Sequence, residues 1–183
     1  MILTERLRLS NWELSDLPDL AQMNLNEEVM RYFPSTYGPE VSEEFLKNNR
    51  AYMEEKGFGW YKTALRDSGQ FLGFVGIKEV RFEAHFTPAI EIGWRMVPEA
   101  WGHGYATEGA RACLHQAFTE LKAPEVVSFT PTTNTPSEAV MKRLGMVQDG
   151  TFMHPWLEEG HPLQEHLLYR ISREQWEDSQ AAR

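Results

Sequence analysis

Glu91-Ile-Gly-Trp-Arg-Met-Val-Pro-Glu-Ala-Trp-Gly-His-Gly-Tyr-Ala-Thr-Glu108 decides how this chain is read. Its first half alternates. Ile90, Ile92, Trp94 and Met96 share one face of a strand, and Glu91, Gly93, Arg95 and Val97 the other. Pro98 has no N–H to give a ladder and stops the strand. Gly102 and Gly104 then make a turn that lets the main chain approach a ligand closely. The helix behind it offers unpaired N–H groups and the positive end of its dipole, a cradle for a pyrophosphate. That helix has a buried stripe, with Ala106, Ala110, Cys113, Leu114, Ala117, Phe118 and Leu121 at 3.6-residue spacing. Two better-known phosphate loops fit poorly. No Gly-Lys-Ser/Thr is present, and Thr107 stands where a dinucleotide fingerprint needs its third glycine.

Working outward, alternation in Ile2–Trp12 predicts a strand, and Ser15 or Asp16 caps a helix to about Asn26. A second helix follows Pro39. Strands are expected over 58–66 and 71–82, joined through Asp67-Ser68-Gly69, and over 89–97. Beyond the long helix come a strand at 126–130, a helix at 136–144 stopped by Gly145, and strands at 147–154 and 163–172. The expected fold class is α/β with mixed packing: a mixed, largely antiparallel sheet of about seven strands flanked by about four helices. Residues 1–177 are expected to form a single domain, and 178–183 a short tail.

Composition narrows the function. The 183 residues carry 27 acidic and 18 basic side chains, a formal charge of −9, and one cysteine. A chain of this length removes roughly 70% of its unfolded surface on folding, so it needs neither disulfide nor metal. The acidity argues against direct nucleic-acid binding or an anionic membrane surface. Residues 101–147, however, carry four acids and four bases, so the acidity stops where an anionic ligand belongs. No membrane or targeting segment is visible, and a reducing, cytoplasmic setting is expected. His85, His103, His115, His154, His161 and His166 show no zinc-binding spacing, so no metal is expected.

A second constellation, Thr133-Asn134-Thr-Pro-Ser137-Glu-Ala-Val-Met141-Lys-Arg-Leu-Gly-Met146, opens the next helix. Strand, glycine turn, long helix, strand, Asn-x-x-Ser and a short helix ending in Leu-Gly-Met is the order of the GNAT superfamily of N-acetyltransferases. The chain resembles their RimJ/RimL-like branch, which includes ribosomal-protein N-terminal acetyltransferases. Thr4-Glu-Arg-Leu-Arg-Leu9, Gly160-His-Pro-Leu163 and Leu168-Tyr169-Arg170 share that likeness.

The resemblance implies the GNAT fold, with a splayed parallel strand pair, and acetyl-CoA as cosubstrate. The family's loop reads Gln/Arg-x-x-Gly-x-Gly/Ala. Trp101-Gly-His-Gly104-Tyr-Ala106 matches it except at Trp101. Main-chain groups of Gly102, His103, Gly104, Tyr105, Ala106 and Thr107 would then hold the pyrophosphate, and Met96 and Val97 the pantetheine arm. Asn134 would contact that arm, and Ser137 would sit by the thioester sulfur. Many members place an acidic tyrosine four residues after the serine; here Met141 stands there and cannot donate a proton.

The implied reaction is direct attack of an amine on the thioester in a ternary complex, which needs alignment, an oxyanion donor, a base and a proton for the leaving thiolate. Val97 N–H is the expected oxyanion donor, Glu91 the expected base and Ser137 the expected donor to the thiolate. A salt bridge to Arg95 is the other reading of Glu91. An α-amine is about 10–15% neutral at pH 7 and a lysine amine roughly 0.04%, so only the latter demands a strong base. The acceptor is expected to be a primary amine, a protein N-terminus or a small molecule (an amino acid, polyamine or antibiotic). A non-catalytic CoA-binding sensor is the alternative from another class. Tyr32, Phe33, Trp60, Trp94 and Trp156 are candidate acceptor-pocket residues, Lys142 and Arg143 candidate phosphate contacts, and Cys113 a core residue. The protein is expected to be a monomer or homodimer.

Overall fold

The computed structural model describes residues 1–181. One eight-stranded sheet runs through the molecule in the order β1-β2-β3-β4-β5-β6-β8-β7. The strands are β1 (Ile2–Leu3), β2 (Leu7–Ser10), β3 (Trp60–Leu65), β4 (Phe71–Glu79), β5 (Ile90–Met96), β6 (Glu125–Pro131), β7 (Val147–Met153) and β8 (Glu165–Ser172). Helices are α1 (Leu17–Leu25), α2 (Glu27–Met30), α3 (Pro39–Lys56), α4 (Tyr105–Thr119), α5 (Thr135–Arg143) and α6 (Arg173–Ala181). All neighbouring strands are antiparallel except β5 and β6.

The mixed, mostly antiparallel sheet is as expected, with three differences. The first strand is a small hairpin, because Thr4 turns the chain: its N–H donates to Leu7 O at 3.0 Å, and its hydroxyl accepts from Leu7 N–H at 2.9 Å. Asn26 splits the first helical region, its side chain accepting from Glu28 and Val29 N–H to start α2. The chain also stays helical from Arg173 to Ala181 instead of loosening at Asp178. Trp176 docks on Phe118 of α4, ring centroids 5.3 Å apart.

β5 sits at the centre, with one face under α4 and the other toward α1 to α3. The α4 stripe is buried as its spacing predicts, and Ala110, Cys113 and Ala117 are inaccessible. Gly109 lets α4 lie close to β4: a Cβ there would lie 3.3 Å from Val75. On the opposite face, Trp12, Phe45 and Phe74 pack beneath α1 and α3. A smaller cluster of Phe86, Val127 and Leu168, joined by Phe82, Phe129 and Phe152, covers the β6–β8–β7 side. β5 therefore lies between two apolar layers.

Candidate active site

β5 and β6 meet only at Glu91 and Val127. The next ladder acceptor, Ile92 O, is taken by the Ser128 hydroxyl at 2.9 Å, and beyond it the strands part. Ladder alternation decides which main-chain groups enter the gap. Val97 N–H donates to Leu72 O on β4 at 3.0 Å. In an antiparallel pair every second residue faces the same neighbour, so Arg95 and Gly93 also bond toward β4, while the N–H groups of Trp94 and Met96 point to the gap. The expectation of Val97 as oxyanion donor is thereby corrected, because its amide is already spent. Met96 N–H is available, as is that of Trp94, a residue that the sequence marks only by its side chain, as part of the apolar strand face and as a candidate pocket aromatic.

The strand leads into the glycine turn. Gly102 and Gly104 have φ of 76° and 79°, the left-handed region that costs other residues about 1–2 kcal/mol. Among the described residues, no amide N–H from Gly102 to Thr107 donates to a protein acceptor. Six consecutive amides without partners at the start of a fifteen-residue helix form a ready anion site. Trp101 anchors the turn, its indole N–H donating to Met96 O at 3.0 Å. The ring of His103 is exposed and stacks beside Tyr105 at 5.4 Å.

The hairpin at the start of the chain braces this turn from outside. Glu108 Oε1 accepts from the Thr4 hydroxyl at 2.6 Å and from Arg6 N–H at 2.9 Å, while its Oε2 accepts from Arg6 Nε at 2.7 Å. Arg6 Nη1 donates to His103 O at 3.0 Å. Burial raises the proton affinity of Glu108, but the bonds from Thr4 and Arg6 outweigh it and leave the carboxyl below its ordinary range. The contacts span about a hundred residues of sequence, and no local signal reveals them. An open groove of about 820 Å³ begins here, lined by Thr4, Arg6, Gly104, Thr107, Arg111 and Arg143 among others. Lys142 pairs instead with Glu138 at 2.8 Å.

Asn134 is the N-cap of α5. Its Oδ1 accepts from Ser137 N–H at 3.2 Å, and its Nδ2 donates to Thr130 Oγ1 at 2.8 Å. It is buried, so the amide is fixed and locks the first turn of α5. The hydroxyl of Ser137 makes no hydrogen bond among the described residues and is free to donate. Met141 is 1% exposed and part of the core, so no proton donor stands at the position where many family members have tyrosine.

Glu91 lies opposite Lys78 of β4, on the face turned to α3. No salt bridge to Arg95 forms. Desolvation drives the Glu91 carboxyl from an ordinary 4.5 up to about 8, partly offset by the Lys78 charge. Desolvation, with help from Arg81, lowers the Lys78 ammonium to about 8, and its Nζ sits 4.5 Å from the Tyr52 ring centroid. Trp60 lies over Gly93, where a Cβ would meet the indole at 3.2 Å. Phe33 and Tyr37 close on Arg95 from the 31–38 connection, whereas Trp156, 67% exposed, sits away with Phe82. Cys113 is inaccessible on α4 and its thiol is pushed far up by burial, as befits a core residue. Among the described residues, no cluster of three or more His, Cys, Asp or Glu is arranged to hold a metal, and no helix is long and apolar enough to cross a membrane.

Parted parallel strands with inward amides, running into a row of unpaired amides at a helix start, have the shape and hydrogen-bonding capacity to take a long, phosphate-ended ligand. Comparison with known proteins gives the family. Residues 6–147 match the family model described as an Acetyltransferase (GNAT) domain, and the chain belongs to this family of acetyl-CoA-dependent N-acetyltransferases. It is 28% identical over 176 residues to the uncharacterized N-acetyltransferase YnaD of Bacillus subtilis, covering 96% of this chain and 98% of that one. It is 37% identical over 131 residues to an FsC-acetyl coenzyme A-N(2)-transacetylase of Aspergillus fumigatus, covering 66% of this chain and 52% of that one. A GNAT-family acetyltransferase structure from Bacillus anthracis superposes with a TM-score of 0.79 at 26% identity, over 94% of this chain and 98% of that one.

Proposed function

We propose that the chain transfers acetyl from acetyl-CoA to an α-amine or an amine of similar basicity, by direct attack in a ternary complex. The amides of Gly102 to Thr107 hold the pyrophosphate. The N–H groups of Trp94 and Met96 take the pantetheine arm and the thioester oxygen, which gains negative charge in the transition state. Asn134 sets the first turn of α5, so that Ser137 Oγ donates to the leaving thiolate. A thiolate whose conjugate acid has a pKa of about 8.5 leaves with one such donor and no stronger acid.

The observation that carries the reading is Glu91. Its proton affinity, about 8, matches that of an α-ammonium near 7.8, so proton transfer between them is close to thermoneutral. Against a lysine ammonium near 10.4 the same carboxylate works uphill by more than two pH units. A protein N-terminus satisfies this match, and the amine of a free amino acid, made more basic by its own carboxylate, lies between it and lysine. Thr4 and Arg6, which brace the cradle through Glu108, belong to the opening segment that resembles the RimJ/RimL-like branch. The test is thiol release from acetyl-CoA over a panel of N-terminal peptides, amino acids, polyamines and lysine side-chain amines. α-Amines should lead. Preference for polyamine or lysine amines would refute the acceptor assignment, and CoA binding without turnover on any amine would favour a sensor.

A further inference from the structure

Arg95 is two residues beyond Gly93 on the same face of β5 as Glu91 and next to Trp94, whose N–H enters the gap. Its guanidinium is held on three sides. Phe33 lies 4.1 Å from it, Phe74 5.2 Å and Tyr37 5.6 Å, all as cation–π contacts. Nη1 donates to Asn24 Oδ1 at 2.7 Å. Asn24 is itself fixed, because its Nδ2 donates to the buried Ser42 hydroxyl at 2.9 Å. No carboxylate pairs with Arg95, and its Nε is buried without any acceptor. Nη2 also has no acceptor among the described residues. Burial lowers the proton affinity of the group, yet it remains a cation at neutral pH.

The pattern of free atoms is specific. Nε and Nη2 form the side edge of the guanidinium, whose two parallel N–H bonds match the two oxygens of a carboxylate. The remaining nitrogen is the one that the protein has tied down. Aromatic contacts and Asn24 account for where the guanidinium sits, but they leave a buried cation without a counter-charge, an arrangement that is unfavourable unless an anion completes it.

We infer that the side edge of Arg95 binds a carboxylate carried by the acceptor itself, so that this enzyme prefers acceptors bearing both an amine and a nearby carboxylate. The inference rests on the acetyl-transfer reading above and sharpens it. The amine is presented to the thioester at Trp94, with Glu91 toward one end of the strand and Arg95 toward the other. The 31–38 connection carrying Phe33 and Tyr37 must shift for the carboxylate to reach Nε. Two sources share this chemistry: the carboxylate of a free amino acid, and an acidic side chain following a peptide N-terminus. A polyamine offers neither.

The experiment compares kcat/KM, referred to the neutral amine, for pairs that differ in that group: amino acids against their amides, and N-terminal Ser-Asp peptides against Ser-Asn. One pair should show a preference for the carboxylate of about 10- to 100-fold, the range of one charge-assisted pair. Which pair does so identifies the source. Arg95→Lys, which keeps the charge without the fork, and Arg95→Met should bring the ratio to within about two-fold, whereas a packing role alone would lower both members equally and leave it unchanged. As a measurement needing no variant, the N-acetylated amino acid or peptide carrying the carboxylate should inhibit the parent enzyme more strongly than its amide. Turnover on amines with no carboxylate preference in either pair, or a preference that survives in Arg95→Met, overturns the inference and leaves the acetyl-transfer reading intact. No thiol release with any amine overturns both.

Discussion

Glu91→Gln should make this protein more stable and less active at once, and the two effects have one cause. The carboxyl has a folded pKa of about 8 against an ordinary 4.5. Between those values the folded chain holds a proton that the unfolded chain releases, so stability falls as pH rises from 4.5 and levels off above 8. At pH 7 the distance above 4.5 is 2.5 pH units. At about 1.36 kcal/mol each this is about 3 kcal/mol, rising to about 5 above pH 8 as an upper bound. Glutamine has no such proton to hold. Because 1 kcal/mol moves the melting point of a chain this long by about 2–4 °C, the variant should melt up to about 10 °C higher at pH 7 and should lack the decline between pH 5 and 8. Its kcat/KM should drop by about 10- to 100-fold, at or below the low end of what general bases supply, since an α-amine is already partly neutral. The assays are calorimetric melting at pH 5, 7 and 8.5 and thiol release with an α-amine acceptor. A melting point at or below the parent's at pH 7, or an unchanged kcat/KM, would refute the placement of a desolvated base at this position.

Other perturbations separate the remaining parts. Ser137→Ala should lower kcat about ten-fold while the KM for acetyl-CoA hardly moves; the reverse pattern would make Ser137 a binding group. Lys78→Met removes the charge that holds Glu91 down, so the ascending, acid-side limb of kcat/KM should move to higher pH by up to about one unit; a limb that stays in place belongs to the acceptor amine. Glu108→Gln should cost about 1–2 kcal/mol in stability and raise the KM for acetyl-CoA, because Arg6 and the cradle lose their brace; an unchanged KM would mean that the hairpin does not hold the turn.

The sequence by itself determined what is encoded within a few residues. Apolar spacing from Ala106 to Leu121 marked a buried helix, the glycines at 102 and 104 marked a tight turn before it, and Asn134 three residues before Ser137 was a capping residue by type and position. Each follows from dihedral preference and periodicity along one stretch of chain. Side-chain parity also placed Glu91 correctly on the face opposite Ile92, because alternation is local.

What only the tertiary structure decided is which partner each group meets. Val97 and Trp94 are indistinguishable as amides until β4 pairs with β5, when Leu72 claims the first and leaves the second in the gap. Glu108 reads as an ordinary first-turn acid until the hairpin at Thr4 and Arg6 folds over it from 102 residues away. Glu91 and Arg95 look like a salt bridge four residues apart, yet in an extended strand their Cα atoms stand ~13 Å apart, and each meets a different part of the layer over their shared face, Lys78 and Tyr52 at one end and Asn24 and Phe33 at the other. Register and layer packing are long-range properties: they set burial, burial sets proton affinity and unmet hydrogen-bonding capacity, and from these the chemistry of the site follows.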